Sequence, residues 1–133
     1  MLLFCYGSLE FAEVMRVVTG RDFAGEPATL DGFARYRVRG ADYPGLVPEP
    51  GARTEGTLFA GLDAEALATL DRFEGALYER GTSDVRKRDG GSAAAQVYVV
   101  RESQRHVLSS APWDKEAFAH DRLAAFLRRL RVD

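Results

Sequence analysis

The sequence predicts an α+β fold in one domain over residues 1–133, and three observations carry that expectation. Hydrophobic patterns follow the order strand, helix, two strands, helix, two strands, helix, which is not the regular alternation of a doubly wound sheet. Neither an internal repeat nor a linker interrupts them. The 133 residues, 46% hydrophobic and 11% aromatic, can fill a core without a disulfide or metal staple.

The first element is a buried strand over 2–5, broken at Tyr6-Gly7-Ser8 and expected to lie centrally. Helical spacing follows over 9–18 through Val14, Val17 and Val18, with Gly20 placed as a C-terminal cap. Residues 29–40 alternate, with Ala34, Tyr36 and Val38 on one side and Arg35, Arg37 and Arg39 on the other, as in a half-buried strand. The arginine face reads first as a solvated surface and second as an anion grip. Three prolines and two glycines over 42–51 predict a stiff irregular loop bordering a pocket. Another strand is expected over 54–60, where Gly56 marks a bulge or the close approach of another backbone.

Asp63 suits the N-cap of a helix running to Glu74, with Leu62, Ala66, Leu70, Phe73 and Leu77 in one apolar stripe and Gly75 ending it. Two strands over 77–87 and 93–101 flank Arg88-Asp89-Gly90-Gly91, whose Asp-Gly step predicts an antiparallel hairpin. A last helix over 109–133, starting near Pro112, is expected to cover the sheet.

Composition narrows the function classes. Eighteen Lys and Arg against twenty Asp and Glu give a net charge of -2, so no positive field gathers phosphate backbones and no nucleic acid partner is expected. One cysteine and two histidines supply neither a disulfide nor a zinc cage. The start lacks a basic n-region, and no apolar run approaches the length of a membrane span. A soluble, cytoplasmic, metal-free protein without cofactors or membrane contact is therefore expected.

The turn Tyr6-Gly7-Ser8-Leu9 hands a buried strand to a helix, so its N–H groups can face an anion, although steric and capping needs alone also favour Gly-Ser there. Glu74 is more telling. It ends a helix, where its charge opposes the dipole, and it follows Phe73; both effects raise a carboxylate pKa toward the range useful for proton transfer. An exposed glutamate paired with Arg72 or Arg80 explains the residue equally well, and the sequence leaves both readings open. Cys5, within an apolar strand, reads as a small buried hydrophobe. Ser8 lacks a G-x-S-x-G elbow, and nothing places His106 or His120 beside it, which disfavours a serine hydrolase. Arg128-Arg129-Leu130-Arg131 reads as the wet face of the last helix.

Four segments in order resemble the gamma-glutamylcyclotransferase-like superfamily, which includes the plant avirulence-induced-gene proteins and the gamma-glutamylamine cyclotransferases. They are Tyr6-Gly7-Ser8-Leu9, Tyr43-Pro44-Gly45-Leu46-Val47-Pro48, Glu55-Gly56-Thr57-Leu58-Phe59, and Leu70-Asp71-Arg72-Phe73-Glu74-Gly75 leading to Tyr78-Glu79-Arg80. The resemblance covers residues 2–100, and Trp113 and Phe118 suit its C-terminal segment. It implies a small mixed β-barrel with flanking helices, its pocket between the turn and the acidic residue, which falls on Glu74. Tyr78 and Tyr98 match aromatic positions of that pocket. Gly81, where many relatives carry a basic residue, departs from the pattern and bears on the pocket rim or the bend of the strand.

The activity implied is intramolecular aminolysis of a small-molecule γ-glutamyl substrate, releasing 5-oxoproline and an amine. Glu74 would be catalytic, with Tyr6, Gly7, Ser8, Leu9, Tyr78 and Tyr98 binding substrate. The same barrel used as a non-catalytic binder of small acidic ligands is the alternative. A γ-glutamyl group on a carrier is a third possibility, and the leaving amine and oligomeric state stay open.

Overall fold

The protein is described here by a computed structural model covering residues 1–132. β1 (Leu3–Cys5) leads through a 3-10 turn (Ser8–Glu10) into α1 (Ala12–Thr19), which Gly20 ends in the left-handed region at φ 74°. β2 (Ala24–Val38) and β3 (Pro44–Ala60) form a long antiparallel ribbon, followed by α2 (Ala64–Glu74). The hairpin of β4 (Tyr78–Lys87) and β5 (Ser92–Val100) comes next, then β6 (Leu108–Pro112), α3 (Lys115–Asp121) and α4 (Leu123–Val132).

Five strands close into a mixed barrel in the order β3-β1-β5-β4-β2, with β2 returning to β3 and β6 added outside on β2. β1 is central as expected: it pairs antiparallel with β3 and parallel with β5. Alternation on its three residues divides the core. Phe4 joins Leu30, Leu46, Val85 and Val97 in a cluster to which no helix contributes, whereas Leu3 and Cys5 join Val14, Leu67 and Leu70 from the helices. Gly56 lies in unbroken register opposite Ala28, and a Cβ there would come 2.4 Å from the Cys5 carbonyl. Close approach, not a bulge, therefore explains this glycine, and Gly56→Ala overpacks the β1–β3 contact by about 1–3 kcal/mol.

Three expectations are corrected. The stiff loop over 42–51 is largely strand: Pro44 pairs with Arg37 and Pro48 with Phe33. Because 44 and 48 have the same parity, both missing N–H donors fall on one edge of the strand, leaving the other edge intact for β2. Pro50 and Gly51, the latter at φ 84°, fall where the register shifts between Asp31 and Phe33. β2 also begins at Ala24, five residues earlier than the alternation indicated, because Ala24 to Pro27 pair with Ala60 to Thr57 of β3 while staying exposed, which leaves no alternating burial to read. The long C-terminal helix is instead a strand and two helices. Ser109 to Pro112 pairs with β2, since the residue before a proline avoids helical dihedrals. Asp114 then caps α3 by accepting from Glu116 N and Ala117 N, and Arg122 breaks the run at φ -128°. Asp133 lies outside the described residues.

The helix after Asp63 forms as expected, with Asp63 accepting from Ala66 N at 2.9 Å and Gly75 ending it at φ 73°. Gly81 pairs with Val97 in continuous register, so it neither bends β4 nor reaches the cavity described below. Trp113, Phe118 and Phe126 form a small third cluster in which Phe118 meets Phe126 edge-on at 5.6 Å. No helix among the described residues is long and apolar enough to cross a membrane.

Candidate active site

A cavity of about 350 Å³ lies where the end of β1, the end of α2 and the face of α4 converge. That volume suits a small metabolite. All seven residues singled out from the sequence line it: Tyr6, Gly7, Ser8, Leu9, Glu74, Tyr78 and Tyr98. Residues far apart in sequence meet because β1 is short and central, so the turn after it opens beside the C-terminal end of α2.

Glu74 is half-buried and faces the cavity. The exposed, paired glutamate is not what the fold builds. Arg80 is bound to Asp71 at 2.8 Å and Arg72 reaches Thr69, so neither neighbour neutralises Glu74, which has no ion-pair partner among the described residues. Burial without a counter-charge pushes its carboxyl up to about 8. A group that ionises there can take and return a proton near neutral pH.

Opposite the carboxyl, none of the N–H groups of Gly7, Ser8 and Leu9 donates to a protein acceptor among the described residues. Three consecutive backbone N–H groups at a cavity wall are thus left without a protein partner among the described residues. Gly7 has φ -132° and ψ -140°, so a left-handed φ is not what calls for a glycine here. The Pro44 ring does: a Cβ at position 7 would meet its Cδ and Cγ at 3.0 Å.

The tyrosines are walls whose protons are already committed. Tyr78 donates to the Pro44 carbonyl at 2.6 Å, Tyr98 to Asp71 Oδ1 at 2.7 Å and Tyr6 to the Tyr98 carbonyl. Donation from Tyr78 and Tyr98 to a ligand would require breaking these bonds, so their hydroxyls present lone pairs instead. Burial drives the Tyr78 and Tyr98 hydroxyls far above their ordinary value, with the Asp71 bond contributing at Tyr98, and keeps both neutral.

Sequence reasoning missed part of the wall. Phe126, Arg129 and Leu130 of α4 line the cavity, whereas Tyr43 and Pro44, which also line it, come from the segment expected to border a pocket. Phe126 and Leu130 were legible as an i, i+4 apolar pair but not as facing a pocket. Arg129, expected on the wet face, reaches the rim, where it lies 3.3 Å from Asp42 and stacks on Phe126. Arg129 itself stays exposed, as the wet-face reading expects, whereas the solvated-face reading fails at Arg35, which is largely buried against Glu10, Tyr6 and Trp113, while Arg37 and Arg39 are exposed as expected.

Comparison with known proteins gives a consistent family. The profile of the family described as Gamma-glutamyl cyclotransferase, AIG2-like, matches residues 3–115. AIG2-like protein C of Arabidopsis thaliana is 37% identical over 87 residues, which is 65% of this chain and 51% of that protein. The chain thus spans about half the length of several curated relatives it matches. A solution structure from the same plant superposes with a TM-score of 0.76 at 26% identity, covering 98% of this chain and 79% of that one. A solved gamma-glutamyl cyclotransferase superposes with a TM-score of 0.67 at 17% identity, covering 98% of this chain and 86% of that one, a likeness of fold.

Proposed function

Because the chain belongs to the Gamma-glutamyl cyclotransferase, AIG2-like family, we propose that it cyclises a small γ-glutamyl conjugate to 5-oxoproline and releases the amine. The observation that supports this reading most is a protonatable Glu74 sharing one cavity with three N–H donors, neither having a protein partner among the described residues. A γ-glutamyl group brings both missing partners. Its α-carboxylate fits the donors of Gly7, Ser8 and Leu9, and its α-ammonium supplies the positive charge that Glu74 lacks.

Arrival of the ammonium lowers the Glu74 pKa and draws out the carboxylate form. Glu74 then takes a proton from the ammonium, freeing the nitrogen lone pair to attack the γ-carbonyl of the same molecule. A bond forms between the α-nitrogen and the γ-carbon, the bond from that carbon to the leaving nitrogen breaks as Glu74 returns its proton there, and the second proton that the attacking nitrogen sheds on becoming the lactam amide passes through the same carboxylate to the amine, which departs as an ammonium. Holding the chain folded for a five-membered ring supplies much of the rate, so one proton carrier and fixed walls suffice. Tyr6, Tyr78 and Tyr98 furnish those walls through their bonds to the backbone and Asp71.

Incubation with a panel of γ-glutamyl amines and dipeptides, assayed for 5-oxoproline, tests the reading. Turnover of at least one member is expected. No product from any member, together with tight binding of 5-oxoproline, would replace it with a non-catalytic binder of small acidic ligands.

A further inference from the structure

We propose that Arg35 is a positioning residue that aims the Gly7 N–H into the cavity by holding the Tyr6 carbonyl from behind, and that Glu10 and Trp113 hold Arg35. The inference rests on the anion-site reading of the turn given above. In a trans peptide the C=O and N–H point in opposite directions, and no cis bond occurs among the described residues. Arg35 Nη1 donates to Tyr6 O at 2.7 Å and to Glu55 O at 3.2 Å. Tyr6 and Gly7 line the cavity and Arg35 does not. The guanidinium therefore draws the carbonyl to the side away from the cavity, and the N–H of the same peptide is left facing it.

A single neutral hydrogen bond would fix this peptide less firmly, because a charged donor roughly doubles the strength. Burying that donor requires compensation. The Arg35 side chain is only 19% exposed, and Glu10 beside it, at 4% exposed, brings Oε2 to 3.8 Å from Nη1. Trp113 presents its ring face 5.3 Å from the Arg35 Cζ, a second source of negative potential. Glu10 is itself fixed through Oε1, which accepts from Thr57 Oγ1 at 3.1 Å and Lys115 Nζ at 3.4 Å. Its Oε2 receives no hydrogen bond among the described residues and faces Arg35 Nη1, so Glu10 meets Arg35 through charge while its other oxygen binds Thr57 and Lys115. The turn, β2 and the segment leading into α3 thus meet behind one peptide, on the side opposite the ligand.

Amide N–H residual dipolar couplings of the unliganded protein report the orientation of this peptide directly. They are to be measured for wild type, Arg35→Met and Arg35→Lys, beside 5-oxoproline affinity and the steady-state kinetics of a γ-glutamyl amine. Arg35→Met is expected to change the couplings of Gly7 and Ser8 while leaving those of α2 and β5 as they were. The 5-oxoproline Kd and the KM should rise by ~10-fold or more with kcat falling by less than about 3-fold, since uniform binding is lost and Glu74 is untouched. Arg35→Lys keeps the charge on a shorter stem and should fall between the two. Wild-type couplings at the turn in Arg35→Met, or a loss confined to kcat, would overturn the proposal. If Arg35→Met does not fold, Arg35→Lys decides: altered couplings with a raised KM support the role, and wild-type values for both reject it. A wild-type protein that neither binds 5-oxoproline nor turns over substrate defeats the catalytic reading, while the couplings still decide whether Arg35 orients the turn.

Discussion

Two half-buried glutamates stand on opposite sides of the Tyr6-Gly7-Ser8-Leu9 turn, and the protein treats them differently. Burial pushes both carboxyls up. Around Glu10 the fold gathers Lys115, Arg35 and a Thr57 hydroxyl, each of which pulls the carboxyl back down. Around Glu74 it gathers none of these, and desolvation alone sets the value near 8. The first carboxylate is a joint that ties the turn to β2 and the C-terminal segment; the second is a proton site lacking a cation. A ligand bearing an ammonium and a carboxylate completes the second and leaves the first unchanged.

Removing the proton from the unpaired member should have the largest effect. Glu74→Gln keeps size and a carbonyl acceptor, so 5-oxoproline affinity is largely retained while turnover falls by ~100-fold or more. Glu74→Asp should lose nearly as much, because the carboxylate retreats by over roughly 1 Å and catalytic placement tolerates little displacement. Steady-state kinetics beside a binding titration check both. Next comes the donor wall. Gly7→Val forces a side chain against the Pro44 ring and should weaken 5-oxoproline binding by more than ~10-fold, the loss read by calorimetric titration. Undiminished binding there would move the anion site elsewhere.

The paired member should answer in stability. Glu10→Gln leaves Arg35 and Lys115 without their buried counter-charge and is expected to cost about 3 kcal/mol in chemical denaturation. A cost near zero would show that the joint is ornamental. The smallest effect is a pH dependence of stability carried by Glu74. Glu74 binds its proton more tightly folded than unfolded, so stability falls as pH rises from the ordinary glutamate value toward about 8 and is level above that. Glu74→Gln, neutral at every pH, should therefore match wild type near pH 4 and melt higher at pH 8, by about 4 °C for each kcal/mol recovered. Scanning calorimetry at the two pH values reads this difference.

Local signals in the chain carried much of the architecture. Asp63 and Gly75 bracket α2, Asp-Gly forms the β4–β5 hairpin, and the apolar run of β1 makes it a central strand. What misled were residues whose local preference is overridden by pairing. Pro44 and Pro48 read as loop because single-residue rules count prolines without their parity, and parity is what lets β3 keep one bonding edge. The C-terminal stripe read as one helix because helical spacing also fits two helices separated by Arg122. At the candidate site, the opposed dipole and Phe73 pointed to Glu74, but the absence of a counter-ion depends on Arg80 preferring Asp71, a choice among near neighbours invisible in sequence. Arg35 was hidden for a related reason. Three alternating arginines look alike, and only the closing of the barrel puts the first behind the Tyr6 peptide.

The direct test of an unpaired, substrate-completed carboxyl is a carbon-13 NMR titration of the Glu74 side chain, free and with a slowly reacting γ-glutamyl analogue that keeps the α-ammonium. In the free protein the resonance should titrate with a midpoint near 8, and the analogue should shift the midpoint downward as its ammonium supplies the missing charge. A midpoint at the ordinary glutamate value in the free protein, or one that the analogue leaves unmoved, would contradict the account.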